Sequence, residues 1–142
     1  MSKSVLRTIV CFILCLLLIV VCFCRKKTRT KGFVLENENK YRVDIIITYN
    51  RFYNVLNRMF GDIEILDENS TKNIKYKISS SVFGDNNCSW VTVHRFFDEG
   101  KYENGYIFFD KHMNNVVIKT STIDIIASGE RFLNKVEQVH NK

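Results

Sequence analysis

Lys40-Tyr41-Arg42-Val43-Asp44-Ile45-Ile46-Ile47-Thr48-Tyr49 is the stretch that decides how this chain folds. Tyr41, Val43, Ile45, Ile47 and Tyr49 fall on one face, and Arg42, Asp44 and Thr48 on the other. Only Ile46 breaks the alternation. Successive side chains of a strand point to opposite faces, so this pattern predicts a strand with one buried face. The same period recurs toward the C-terminus. Asp62 to Leu66 reads as a short strand with Ile63 and Ile65 inward, and Asn73 to Val82 alternates through Ile74, Tyr76, Ile78 and Val82. Trp90 to Phe97, Gly105 to Phe109 and Asn115 to Ile126 are rich in strand-forming residues. Turn-forming clusters separate them: Asp67-Glu68-Asn69-Ser70-Thr71, Gly84-Asp85-Asn86-Asn87, Gly100 with Gly105, and His112-Met113-Asn114-Asn115.

Two segments read as helical. Phe52, Leu56, Met59 and Phe60 recur at helical spacing within Asn50–Phe60. Ser128 is placed to cap a final helix with Phe132, Val136 and Val139 on one stripe. Residues 40–142 are therefore expected to be a mainly-β domain. Its six strands would form a small antiparallel sheet or a barrel-like meander, with one or two short helices.

Working back toward the N-terminus, Ile9 to Cys24 is apolar throughout, IVCFILCLLLIVVCFC, and Thr8 extends the charge-free run to the limits set by Arg7 and Arg25. Crossing a bilayer takes about 17–25 such residues. A cleaved signal peptide is the competing reading. Its apolar core is usually shorter, and it ends in a small-residue cleavage site. Here the run continues straight into Arg25-Lys26-Lys27. The expected organisation is a short basic N-terminus (1–7), one transmembrane helix (8–24), a basic juxtamembrane tether (25–39) and the β-domain (40–142).

Charge is distributed unevenly. Of the 21 Lys and Arg, seven lie in residues 1–31, which hold none of the 15 acids, so the remainder carries a net charge of −1. Phosphate-backbone binding requires a basic face on the folded domain itself, so no direct nucleic-acid partner is expected. Arg25, Lys26, Lys27, Arg29 and Lys31 are assigned instead to the membrane surface, against anionic headgroups. Orientation stays open. The positive-inside rule places the C-terminal domain in the cytoplasm, whereas the short basic N-terminus resembles the cytoplasmic end of a signal anchor.

Motifs of chemistry are missing. His94, His112 and His140 form no i, i+4 metal pair, and the six glycines form no phosphate-cradling loop. No serine sits in a nucleophile elbow. Asp98-Glu99 lies in a turn before Gly100 and reads as solvated. Cys11, Cys15, Cys22 and Cys24 fall in the membrane segment, where Cys22 and Cys24 are candidates for acylation. Cys88, alone in the domain, is either buried and inert or bridges to another chain. Asn69-Ser70-Thr71 and Asn87-Cys88-Ser89 fit the glycosylation rule, which matters only in a eukaryotic host. No catalytic residue, cofactor or metal is expected, and the chain does not read as an enzyme.

The order of basic N-terminus, single anchor and β-domain is similar to that of small inner-membrane proteins of Gram-negative enteric bacteria. Members of that group include the FidL-like proteins, the PsaF/MyfF fimbrial regulators and, more distantly, ToxS, and Phe60-Gly61-Asp62-Ile63-Glu64-Ile65 through Tyr76-Lys77-Ile78-Ser79-Ser80 resembles the glycine-centred strand pair of the FidL-like chains. The resemblance implies a periplasmic domain that stabilises a one-pass transcription activator of the ToxR type and so supports expression of virulence or fimbrial genes. The alternative is a membrane-tethered barrel that senses or carries a small apolar ligand.

Overall fold

Ser2 begins the first helix. Its Oγ accepts the Val5 N–H at 3.3 Å, capping a donor that the helix cannot satisfy itself. The computed structural model describes residues 2–23, 25–50, 58–68, 73–85, 87–96 and 102–141. Helix α1 (Lys3–Phe23) has 21 residues. At 1.5 Å per residue it is about 30 Å long, the thickness of a hydrocarbon core. It is long and apolar enough to cross a membrane, and its side chains from Val5 to Val20 touch little else in the chain. The helix starts five residues before the expected Thr8, and Cys24 lies outside the described residues.

The segment expected to be a tether is a strand. β1 (Arg25–Glu36) pairs antiparallel along its whole length with β2 (Asn39–Asn50), from Arg25↔Asn50 to Glu36↔Asn39. Asn37, at φ 55°, turns the chain between them. Asparagine accepts that left-handed conformation because its short polar side chain bonds locally. There follow β3 (Arg58–Asp67), β4 (Asn73–Ser81), β5 (Phe83–Asp85), β6 (Cys88–Phe96), β7 (Tyr102–Phe109), β8 (Val116–Thr120) and β9 (Ile123–Ala127), and then a helix, α2 (Glu130–His140).

Each strand is hydrogen-bonded to the next except β4, which skips β5 and pairs with β6, and β9 returns to β1. Eight strands thus close an up-and-down antiparallel barrel, with β5 a short flap on β6. The registers advance by about ten residues in one circuit, the stagger that lets tilted strands close. Closure removes most of the exposed sheet edge.

Alternation builds the core. Val43, Ile45 and Ile47 of β2, Met59, Ile63 and Ile65 of β3, and Tyr76 and Ile78 of β4 point inward. They meet Val91, Val93, Ile107, Phe109, Ile118 and Ile125 from the opposite wall. Met59 is fully buried and Phe60 is 39% exposed, so this part of the expected helix is strand, with the period of two. Phe52 and Leu56 lie outside the described residues. Asn115–Ile126, read as one stretch, is two strands joined by a turn at Ser121-Thr122.

α2 lies against the outside of the barrel. Phe132 and Val136 are buried with Cys88, Phe108 and Val117, while Val139 is 36% exposed. Lys119 Nζ meets Glu137 Oε1 at 2.5 Å beside this contact. The helix is not capped by Ser128. Gly129 is its N-cap residue and supplies no side chain, and the Ser128 Oγ is buried without a hydrogen-bond partner.

The barrel has two distinct ends. At the near end stand Arg25, the β5–β6 turn, the β7–β8 turn and the start of α2. At the far end are the β1–β2 and β8–β9 turns and the last residues of β3.

Candidate functional site

The expected membrane-surface residues all lie on β1. Arg25, Lys27, Arg29 and Lys31 are exposed on its outer face, while Lys26 is half-buried on the row of Thr28 and Thr30. β1 is wider than its partner on the other side. β9 pairs with it only from Phe33↔Ile126 to Glu36↔Ile123. From Arg25 to Lys31, β1 is bonded to β2 alone, and among the described residues no strand covers its other edge. Gly32 sits at the seam, where a Cβ would come within 2.5 Å of the Ile126 carbonyl oxygen and 2.8 Å of the Ala127 Cβ.

Two of the basic residues have partners. Arg29 Nη2 donates to Asp44 Oδ2 at 2.7 Å, and Arg25 lies 3.9 Å from Asp62. The Arg29 hydrogen bond holds the Asp44 carboxyl below its usual pKa. Such exposed pairs contribute little to stability. Lys26, Lys27 and Lys31 make no salt bridge among the described residues.

The near-neutral domain is electrically polar. Arg58, Lys111, Arg131 and Lys135 join Arg25 and Lys27 at the near end. The acids Asp85, Asp110 and Glu130 are also there, the first two occupied by turn amides. Asp85 Oδ1 accepts the Asn87 and Cys88 N–H groups at 2.9 and 3.0 Å, and Asp110 accepts from Asn114 N and Asn115 Nδ2 at 2.9 Å each. The far end carries Glu36, Glu38, Asp67, Glu68 and Asp124. The net charge from Gly32 onward therefore hides a basic face directed toward α1.

Inside the far-end mouth lies a polar row from successive strands. Arg95 is opposite Glu103 across β6 and β7, and Tyr76 is one step beyond the last β4–β6 pair. Glu103 is 7% exposed. Its Oε1 accepts from Thr122 Oγ1 at 2.6 Å, while Oε2 and the Tyr76 hydroxyl are buried without a well-aligned hydrogen bond, Arg95 and Thr120 lying beside the hydroxyl. Burial and the Glu103 charge push the Tyr76 hydroxyl up to about 12. Burial also raises the Glu103 pKa, but the Thr120 and Thr122 hydroxyls and the Arg95 charge outweigh it and leave the carboxyl below its ordinary value. Burial, then Glu36 and Asp67, raise Tyr41 at the same mouth.

This row binds polar groups and holds charge but contains no nucleophile. Among the described residues no cluster of His, Cys, Asp and Glu could hold a metal. His94 Nδ1 meets Asn104 Oδ1 at 2.7 Å, His140 packs edge-on against Phe108 at 6.0 Å, and His112 lies in the β7–β8 turn, so the three histidines are apart. Cys88 is buried, which raises its thiol pKa. Asp98, Glu99 and Asn69 lie outside the described residues. Outside the barrel, Trp90 stacks on Phe83 at 4.5 Å and meets Tyr106 edge-on at 5.5 Å.

The basic residues 25–31 were legible in the sequence, as a tether; the strand they form, its open edge and the polar row were not. Thr28 and Thr30 alternating with Arg29 and Lys31 was the available signal for β1, since threonine favours strands. No family model, curated protein or solved structure matches this chain.

Proposed function

We propose that this protein is a membrane-anchored interaction module, held by α1, whose barrel accepts an extended segment of a partner along the free edge of β1. The open edge from Arg25 to Lys31, in an otherwise closed barrel, carries this reading. Unpaired strand groups are a template for strand addition. A second copy is a poor occupant, because antiparallel β1–β1 pairing sets basic residues opposite one another. An acidic or polar strand suits the edge better. Anchoring both chains in one membrane raises their effective concentration, so a short interface suffices.

The resemblance to FidL-like proteins supplies a partner of the right kind: a one-pass activator of the ToxR type, stabilised by the barrel in the periplasm of an inner membrane. Photocrosslinking tests this. A crosslinker at Lys27 or Lys31 is expected to capture one chain with a single membrane span and a winged-helix domain. Equal capture from Glu38 at the far end, or no such chain, defeats the reading.

Carriage of a small apolar ligand has weaker support. Apolar side chains occupy the barrel interior, and the far-end mouth is lined by Tyr76, Arg95 and Glu103. A ligand entering there would need to be polar.

A further inference from the structure

We infer that the concavity between the β7–β8 turn and the first turn of α2 binds a phosphate-bearing anion, the headgroup of an anionic phospholipid. It has a volume of about 460 Å³, and Lys111, His112, Arg131 and Lys135 line it. That size suits a small-ligand site. Arg131 and Lys135 are four residues apart on α2, so they share a face and repel each other. Lys111 approaches from the turn. None of the three makes a salt bridge among the described residues. The one acid in the lining, Asp110, is occupied by the turn amides and by Asn115. Asp110 sets one negative charge against these three cations, and a bound anion relieves the excess.

The wall of the concavity adds to this. Gly129 leaves the start of α2 without a side-chain cap. Its own N–H donates to Asn115 Oδ1 at 3.2 Å, and the first bond within the helix is Leu133 N–H to Gly129 O. The intervening first-turn amides are donors at the positive end of the helix dipole. The basic side chains are the primary binding groups, and the helix end reinforces them.

Position identifies the source of the phosphate. One residue separates the end of α1 from Arg25. With Cα atoms 3.8 Å apart, Arg25 at the near end stays within about 8 Å of the helix end. If α1 spans the bilayer, as the proposed function holds, the end of the barrel that carries the concavity is the end next to the headgroup layer. A single headgroup bound there would fix the rotation of the barrel on the membrane and so the direction of the β1 edge.

The test is amide NMR of the full chain in neutral detergent, titrated with dihexanoyl phosphatidylglycerol, dihexanoyl phosphatidylcholine or inorganic phosphate. Phosphatidylglycerol is expected to give saturable shifts at Lys111 and Arg131. Inorganic phosphate should bind at least tenfold more weakly, and phosphatidylcholine should give no saturable shift. The K111Q/R131Q/K135Q variant should lose the response with Cys88 still unreactive, showing that α2 remains docked, whereas R25Q/K27Q should keep it. No saturable shift, or shifts retained in the triple variant, overturns the site. Equal affinity for inorganic phosphate overturns its lipid identity. Carbonate extraction of the same chain separates failure of the anchor from failure of the concavity.

Discussion

Gly32→Ala places one methyl group at the point where the barrel closes. The new Cβ would lie 2.5 Å from the Ile126 carbonyl oxygen and 2.8 Å from the Ala127 Cβ. Ordinary contacts are near 3.4–4 Å, so β9 must retreat by about 1 Å. Backbone atoms, held by neighbouring ladders, cannot yield as a flexible side chain does. Overpacking of this kind costs roughly 1–3 kcal/mol. Only Phe33–Glu36 join β1 to β9, and each ladder bond lost adds about 1 kcal/mol. The expected loss is thus about 3 kcal/mol. At a roomy site the same change would stabilise by up to about 1 kcal/mol, by restricting the unfolded chain. The sign therefore decides the matter. Urea unfolding of the full chain in neutral detergent, followed by the single Trp90, measures it. Ala127→Gly in the same chain should recover part of the loss by removing one of the two clashes. An unchanged or raised midpoint for Gly32→Ala would refute this geometry of closure.

Other outcomes follow from the interior and from α2. The raised Tyr76 pKa favours folding while its hydroxyl is protonated, a contribution present below pH 10 and lost as pH rises toward 12. It amounts to about 3 kcal/mol, and Tyr76→Phe should flatten the alkaline limb of a stability–pH profile. Glu103 has the opposite sign: its lowered pKa contributes stability above pH 4.5 that is lost as pH falls further, and Glu103→Gln should blunt this acid sensitivity. Phe132→Ala should cost about 3–5 kcal/mol and expose Cys88, seen as faster thiol modification at neutral pH. Ser128→Ala should stay within about 0.5 kcal/mol of the parent in the same unfolding assay, since its hydroxyl caps nothing, whereas a true cap would lose about 1 kcal/mol.

The apolar alternation of Tyr41–Tyr49 and Asn73–Val82 made the β-class legible, because burial of one face imposes a period of two on the sequence. β1 was harder. Its inward residues, Lys26, Thr28 and Thr30, are polar, so no hydrophobic period marks the strand; pairing with β2 holds it. Met59 and Phe60 fit a helical spacing by coincidence of two nearby apolar residues, one inward and one outward. The number of strands was underestimated where a turn lacks Gly or Pro, as at Ser121-Thr122. Registers lie beyond local pattern altogether. Tyr76, Arg95, Glu103 and Thr122 meet only because the ladders of β4, β6, β7 and β8 bring them to one level. The near-end basic face has the same origin, since Arg58, Lys111 and Arg131 are distant in sequence.

Amide hydrogen exchange of β1 tests the open edge most directly. In the purified chain, in neutral lipid, alternate amides of residues 25–31 should exchange fast and residues 33–36 slowly throughout. In native membranes holding the partner, residues 25–31 should become as protected as 33–36. Uniform protection of both halves in the purified chain, or exchange at 25–31 that native membranes leave unchanged, would contradict it.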